Sequence, residues 1–90
     1  MSDNRNNTNP NSITFYGADW CPDCRRSKRW LTENNIPFEF YDVDGDAEAN
    51  EFVKQVEGGN RSIPLIIFPG GAWLVEPSND ALAAQAGKAA

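Results

Sequence analysis

The sequence predicts an α/β protein in which a four-stranded mixed sheet carries helices on both faces. The first observation is an alternation of short β-branched and aromatic runs with longer helix-forming segments. This is the pattern of β-α-β units with right-handed crossovers. The second observation is a pair of short apolar runs on either side of a Pro-Gly-Gly turn at residues 69–71, which indicates an antiparallel hairpin. Together they predict the order β-α-β-α-β-β-α.

The first three elements are predicted around Gly17 and Pro22. Residues 12–16 form a β-branched and aromatic run that ends at Gly17, so a strand is predicted there. Pro22 is tolerated in a first helical turn, and residues 24–34 are good helix formers with no further proline. Residues 38–43 alternate apolar and polar side chains, which predicts the second strand.

The remaining elements are bounded by turn-forming residues. Asp46 suits a helix N-cap. The helix that it begins presents one apolar stripe, formed by Ala49, Phe52, Val53 and Val56. Glycines 58 and 59 supply a C-cap. Residues 65–68 are bulky and apolar, as in a central strand buried on both faces, and residues 72–75 are expected to pair back with them. Polar residues at 78–80 offer N-caps for a final helix that extends to about residue 86.

The composition excludes several classes of function. The chain has 90 residues, enough for one domain, and its formal net charge of −5 argues against binding to nucleic acid or an anionic membrane. Residues 1–11 are polar and lack periodicity, so they are interpreted as a disordered tail, and residues 12–90 as one domain. The sequence has no apolar segment typical of a secretory signal or a membrane span, and the cytoplasm is the expected compartment.

The candidate chemistry lies in two cysteines, Cys21 and Cys24, in a sequence without histidine. The lack of histidine excludes an imidazole base, a Ser-His-Asp triad and a histidine-bound metal. A disulfide between residues so close in sequence removes very little conformational entropy from the unfolded chain, so it would stabilise the fold only slightly. Redox chemistry therefore explains the pair better than a structural disulfide does. A Cys-x-x-Cys on the turn that leaves the first strand of a β-α-β unit is typical of the thioredoxin-like fold.

Cys21 and Cys24 are predicted to have different roles. A sulfur at the start of a helix faces free backbone N–H groups and the positive end of the helix dipole, which favours the thiolate. Arg25 and Arg26 add positive charge nearby, and acidic neighbours oppose them. Cys21 is expected to attack a substrate disulfide, and the less exposed Cys24 to attack Cys21 and release the product.

Three other interpretations of the pair are weaker. A structural zinc site needs about four nitrogen or sulfur ligands and the chain supplies two thiolates, so no metal site is predicted. A buried, inert pair conflicts with the turn-forming residues 17–19 and with Pro22. An iron–sulfur cluster shared between two subunits is the third interpretation.

Pro64 and the tryptophans are further candidate residues. Pro64 directly precedes the third strand, where it either punctuates the strand or is a cis-proline that places the backbone of Ile63 opposite the cysteines. In the second case that backbone can pair with an extended substrate. Trp20 adjoins the first cysteine and is expected to cover the site, whereas packing roles are expected for Trp30 and Trp73.

Half of the basic residues lie together in the first helix: Arg25, Arg26, Lys28 and Arg29. A cluster of this kind is either a solvated helix face or a surface that steers an acidic thiol or protein partner.

Two motifs carry a resemblance to a known family. Residues 20–24, Trp-Cys-Pro-Asp-Cys, and residues 61–64, Arg-Ser-Ile-Pro, together resemble the glutaredoxin family. The stretches 58–64 and 77–80 are most similar to its mycoredoxin-like branch. The resemblance covers residues 12–86.

This resemblance implies reduction of protein disulfides, or of mixed disulfides with a low-molecular-weight thiol, either mycothiol or glutathione. It implies that Cys21 is the nucleophile, Cys24 the resolving thiol and Pro64 the cis-proline. The thiol is then a cosubstrate and no cofactor is tightly bound. The expected partners are disulfide-containing proteins and a flavin-dependent reductase, and the protein is expected to be a monomer. The thiol-binding groove is expected to be lined by Trp20, Pro22, Arg61, Ile63, Pro64, Ser78 and Asn79.

Several positions depart from the glutathione-dependent pattern of that family. Ala18 stands where those members usually carry lysine, and Asp23 where they carry an aromatic residue between the cysteines. Residues 77–79, Pro-Ser-Asn, replace the usual glycine pair before the last helix. These departures weaken the case for glutathione and favour mycothiol or a role in which a reductase supplies the electrons. Two alternatives are an electron donor to ribonucleotide reductase, fed by thioredoxin reductase, and an iron–sulfur cluster carrier that uses Cys21.

Overall fold

The computed structural model describes residues 12–89 of the chain. Its elements follow the predicted order: β1 (Ile13–Gly17), α1 (Pro22–Glu33), β2 (Phe38–Asp42), α2 (Ala47–Val56), β3 (Leu65–Ile67), β4 (Trp73–Val75) and α3 (Asn79–Ala89). The predicted disordered tail, residues 1–11, lies outside the described residues, as does residue 90. No helix among residues 12–89 combines the length and the apolar character that a bilayer crossing requires.

The four strands form one mixed sheet in the order β2-β1-β3-β4. β1 and β2 are parallel, whereas β3 is antiparallel to both β1 and β4. Lys28 of α1 lies over the ring of Phe40 on one face of the sheet, and Tyr16 contacts Phe52 of α2 on the other. The fold is therefore the α/β architecture with helices on both faces that the sequence predicts.

The core is built on the two central strands. Phe15 of β1 and both Leu65 and Ile66 of β3 are fully buried, so β3 is covered on its two faces as its apolar sequence predicts. Leu31 of α1 and Val53 of α2 are fully buried against opposite faces of the sheet. Each such side chain contributes about 1.5–3 kcal/mol relative to an exposed one. The apolar stripes of the helices are therefore what hold the layers together.

The helix boundaries follow the predicted caps, with one difference. The Asp46 carboxylate accepts hydrogen bonds from the N–H groups of Glu48 and Ala49, as an N-cap does. Gly58, just after the helix, takes a φ of +71°, a conformation that glycine adopts without steric cost. Helix α3 continues to residue 89, beyond the predicted end near residue 86. Alanine has the highest helix propensity, so this alanine-rich segment extends the helix.

Trp73 does not pack as predicted. It lies on β4, at the edge of the sheet, and 46% of its surface is exposed. Trp30, in contrast, is partly buried against the core, as expected.

The sheet topology brings four connecting segments to one edge. The carboxyl ends of β1 and β2 lie at this edge because the two strands are parallel. The start of β3 and the end of β4 lie there too, since Leu65 pairs with both Tyr16 and Val75. The segments 18–21, 43–46, 57–64 and 76–78 therefore meet at one end of the molecule, and they include every predicted site residue except those on α1 and α3, whose first turns begin there.

Candidate functional site

Cys21 is the N-cap of helix α1. A turn precedes it, closed by a 3.2 Å hydrogen bond from its N–H to the carbonyl of Ala18. Its Sγ accepts a hydrogen bond from the N–H of Cys24 at 3.4 Å. A sulfur in this position caps a backbone N–H that would otherwise have no partner within the helix. With 6% of its surface exposed, Cys21 is the more accessible of the two thiols.

Cys24 is fully buried one helical turn further on. Burial raises the pKa of its thiol from 9.0 to about 12, although a hydrogen bond involving the backbone of Ala18 opposes the shift. Its sulfur packs directly on Gly17, where a Cβ atom would come within 2.7 Å of Sγ. The two cysteines are free thiols. Their environments favour Cys21 as the attacking sulfur and Cys24 as the resolving one.

The loop before β3 contains the cis peptide bond that the sequence predicts, between Ile63 and Pro64. The Pro64 carbonyl accepts a 2.9 Å hydrogen bond from the N–H of Glu76, which joins this loop to the one after β4. Because Leu65 is paired with Tyr16, Pro64 lies at the sheet edge where β1 ends. The cis-proline loop and the Cys-x-x-Cys turn therefore share one end of the sheet.

A network of four side chains, here called the Asp44 bridge, links Trp20, Asp44, Arg61 and Asn50. Trp20 Nε1 donates to Asp44 Oδ2 at 2.6 Å, and Arg61 Nη2 donates to Asp44 Oδ1 at 2.5 Å. Arg61 Nε donates to Asn50 Oδ1 at 2.5 Å. The hydrogen bond from Trp20 and the bond and charge of Arg61 hold the pKa of Asp44 below its usual value of 3.8. Asp44 is therefore ionised at neutral pH.

The Asp44 bridge decides how two predicted groove residues are placed. Trp20 is 62% exposed, so its ring is available to a substrate beside Cys21, as expected. The guanidinium of Arg61, in contrast, is already paired with a carboxylate of the chain itself. The sequence analysis did not identify Asp44 as a site residue. The signal available was its position directly after a predicted strand at the sheet edge.

The basic cluster of α1 is also partly neutralised. Arg26 donates from Nη1 to Asp23 Oδ1 at 3.0 Å and from Nη2 to the carbonyl of Pro77 at 2.7 Å. Lys28 Nζ lies 3.3 Å from Asp19 Oδ1 and also over the ring of Phe40. These two residues therefore tie α1 to its surroundings and are neither simply solvated nor free to attract anions.

An open cavity of about 460 Å³ lies between the first turns of α1 and α3. Of the residues expected to line the thiol-binding groove, Ser78 and Asn79 line this cavity, but Trp20 and Arg61 do not. The predicted groove is therefore divided into a cavity on the α3 side of the cysteines and the Asp44 bridge on the other side. The cavity is lined by Asp23, Arg26, Glu76, Ser78, Asn79 and Asp80. Three of these six residues are acidic and one is basic.

Within residues 12–89, no group of three or more cysteine or acidic side chains is arranged to hold a metal ion. Because the sequence has no histidine, proton transfer at the site has to use thiols, carboxylates or water.

Comparison with known proteins gives consistent relatives. A glutaredoxin family model matches residues 13–73. A predicted glutaredoxin of Mycobacterium tuberculosis is 39% identical over 74 residues, which span 82% of this chain and 88% of that protein. Mycoredoxin 1 of Corynebacterium glutamicum is 38% identical over 66 residues, 73% of this chain and 81% of that protein. The glutaredoxin structure from Archaeoglobus fulgidus has a TM-score of 0.73 over 93% of this chain and 94% of its own, with 19% identity, which is a likeness of fold.

Proposed function

The chain belongs to the glutaredoxin family and is a thiol–disulfide oxidoreductase, and we propose that mycothiol is the low-molecular-weight thiol that supplies its electrons. Disulfide substrates and a low-molecular-weight thiol follow from the family. The choice between mycothiol and glutathione rests on the charges around Cys21.

The observation that supports mycothiol is the acidic lining of the cavity beside the cysteines. Asp23, Glu76 and Asp80 contribute carboxylates, and the one cation of the lining, Arg26, is already bonded to Asp23. Carboxylates accept hydrogen bonds from hydroxyl groups and repel other carboxylates. The repulsion at about 4 Å ranges from about 1 kcal/mol in water to about 4 kcal/mol near a protein surface. Mycothiol carries its cysteinyl thiol on a sugar and an inositol and has no carboxylate, whereas glutathione has two.

The reaction is a pair of thiol–disulfide exchanges. The Cys21 thiolate attacks one sulfur of the substrate disulfide, the S–S bond breaks, and the leaving sulfur takes a proton from solvent. The mixed disulfide on Cys21 is then released by a second thiol, or by Cys24, which first gives up its proton. Because burial raises the pKa of Cys24 to about 12, the route through a second mycothiol is favoured at neutral pH. A flavin-dependent reductase then reduces the oxidised mycothiol.

A coupled reduction assay with three electron sources tests the proposal. A mixed disulfide substrate is offered with glutathione, with mycothiol and its reductase, or with thioredoxin reductase. The highest kcat/KM is expected with mycothiol. A higher value with glutathione contradicts the choice of thiol, and activity with thioredoxin reductase alone favours a donor to ribonucleotide reductase. Activity with none of the three contradicts the redox role.

Cysteine variants separate the roles within the pair. Cys21→Ser is expected to abolish turnover, because it removes the attacking sulfur. Cys24→Ser is expected to keep the first attack and, when no low-molecular-weight thiol is present to release it, to accumulate a mixed disulfide on Cys21, detectable by mass spectrometry. Turnover in Cys21→Ser together with loss of the first attack in Cys24→Ser reverses the assignment.

We further propose that the protein works as a monomer in the cytoplasm, where a pool of reduced thiols is available. A colourless monomer on size-exclusion chromatography supports this proposal. A brown dimer indicates the alternative, an iron–sulfur cluster held between two subunits through Cys21.

A further inference from the structure

We propose that Asp44 is a specificity-determining residue: by occupying the guanidinium of Arg61, its carboxylate excludes thiols that carry a carboxylate of their own. This inference deepens the proposed function and rests on it, since it concerns which low-molecular-weight thiol reaches Cys21.

The position of the Asp44 bridge connects it with the reaction. Trp20 directly precedes Cys21, and Arg61 lies two residues before the Ile63–Pro64 cis peptide bond. Asp44 uses both carboxylate oxygens, one toward Trp20 at 2.6 Å and the other toward Arg61 at 2.5 Å. It therefore joins the turn that presents the nucleophile to the loop that faces it.

Two of the five N–H donors of Arg61 are used within the chain. Nη2 donates to Asp44, and Nε to Asn50. A carboxylate on an incoming thiol that approaches Nη1 meets a guanidinium whose charge Asp44 already balances, and one that binds at Nη2 has to displace Asp44. The displaced Asp44 carboxylate then lies beside the carboxylate of the thiol. One ion pair with Arg61 is exchanged for another, and repulsion between the two carboxylates is added. A thiol without a carboxylate meets no such competition.

Two of the neighbouring cations, on α1, are paired as well. Arg26 is held by Asp23 and by the carbonyl of Pro77, and Lys28 is held by Asp19. Removing the charge of Asp44 therefore converts Arg61 into an available anion-binding residue, while the pairs on α1 remain.

The test uses two thiols, glutathione and its diethyl ester, which has no free carboxylate. The measured quantity is the second-order rate constant for reduction of the Cys21–Cys24 disulfide at low ionic strength. Quenched samples are read by mass spectrometry, so a change at Trp20 does not affect the signal. Each rate is divided by the rate of the same thiol with a small free disulfide, because esterification also changes the reactivity of the thiol itself.

For the wild-type protein, the normalised rate with the ester is expected to equal or exceed that with glutathione. Asp44→Asn is expected to raise the glutathione rate by about tenfold and to leave the ester rate unchanged, because Arg61 gains one charge-assisted hydrogen bond to a substrate carboxylate. Adding Arg61→Gln to Asp44→Asn is expected to remove the gain. Glu51→Gln is the matched control: it removes one negative charge from an exposed pair with Lys54 on α2 and is expected to change neither rate.

Two results overturn the inference. One is a wild-type protein that prefers glutathione to the ester several-fold, a measurement that does not depend on the folding of any variant. The other is an Asp44→Asn protein in which both rates rise together or neither rises. Failure of mycothiol to support turnover in the coupled assay contradicts the proposed function instead, and leaves the glutathione-to-ester ratio as an independent test of Asp44.

Discussion

Replacing Gly17 with alanine is predicted to damage both the stability of the protein and the reactivity of its cysteine pair. A Cβ atom at this position would lie 2.7 Å from the sulfur of Cys24 and 3.0 Å from Cε1 of Phe15. Both neighbours are fully buried, so neither can move into solvent. The added methyl group is therefore accommodated only by displacing the resolving sulfur or an aromatic ring of the core.

The size of the effect follows from these distances. Nonbonded atoms in contact are normally about 3.5–4.0 Å apart, so the Cys24 sulfur has to move by about 1 Å. Overpacking of a filled core costs about 1–3 kcal/mol. For a domain of this size, a loss of about 2 kcal/mol lowers Tm by about 10 °C. A displacement of this size is large compared with the range of sulfur positions that disulfide geometry allows. The rate of disulfide formation between Cys21 and Cys24 is therefore expected to fall by about 10–100-fold.

Two measurements and a matched control test this reasoning. Urea unfolding of the reduced proteins gives the change in stability, and quenched alkylation after oxidation gives the rate of Cys21–Cys24 disulfide formation. Gly87→Ala is the control, because a Cβ atom on this residue of α3 meets no atom within 4 Å. It is expected to stabilise the protein by about 0.5–1 kcal/mol, since alanine is the better helix former. Equal stabilities and equal closure rates for the two variants would refute the packing argument at Gly17.

Three further predictions concern buried groups near the same turn. First, burial raises the pKa of Cys24 from 9.0 to about 12, so the stabilisation from its bound proton is complete below pH 9 and is lost as the pH rises toward 12. The free energy of unfolding of the reduced protein, measured in urea between pH 8 and 11, should therefore fall more steeply with pH than that of Cys24→Ala. Parallel curves for the two proteins contradict the shift. Second, iodoacetamide at pH 7 should modify Cys21 and spare Cys24 until the protein unfolds, whereas equal labelling contradicts the assigned asymmetry. Third, the hydroxyl of Ser27 is buried and has no hydrogen-bond partner among the described residues. Ser27→Ala should therefore raise the free energy of unfolding in urea by about 1 kcal/mol. A lower free energy of unfolding indicates that a bound water satisfies the hydroxyl.

Most of the fold could be predicted because local signals agree with the tertiary structure. Alternation over residues 38–43 and the apolar run at 65–68 each identified a strand, and Asp46 and glycines 58 and 59 identified the ends of α2. The failures occurred where tertiary context decides. Trp73 has the composition of a packed residue, but its exposure depends on which strand lies at the edge of the sheet, and that order comes from pairing between distant segments.

The site shows the same division. The Cys-x-x-Cys turn is a local motif that a few neighbouring residues predict, whereas the cis-proline was one of two interpretations of Pro64 and was favoured only in combination with that motif. The Asp44 bridge joins residues that are 24 and 17 positions apart in the chain. They meet only because β2 runs parallel to β1 and ends at the same edge, a placement that the turn composition at 44–46 does not reveal.

The basic cluster of α1 is where this difference changes the chemistry. From the sequence, its charge was expected to help stabilise a thiolate at Cys21. In the structure Arg26 and Lys28 are each paired with an acidic residue, so much of that charge is balanced before it can act on the sulfur. The N–H of Cys24, in contrast, has no acidic partner that balances it, because it donates to the sulfur of Cys21 and the helix fixes the direction in which it points. The hydrogen-bond contact of the Cys21 sulfur is therefore with the helix N-terminus, and we expect the paired charges around it to decide which thiols can approach.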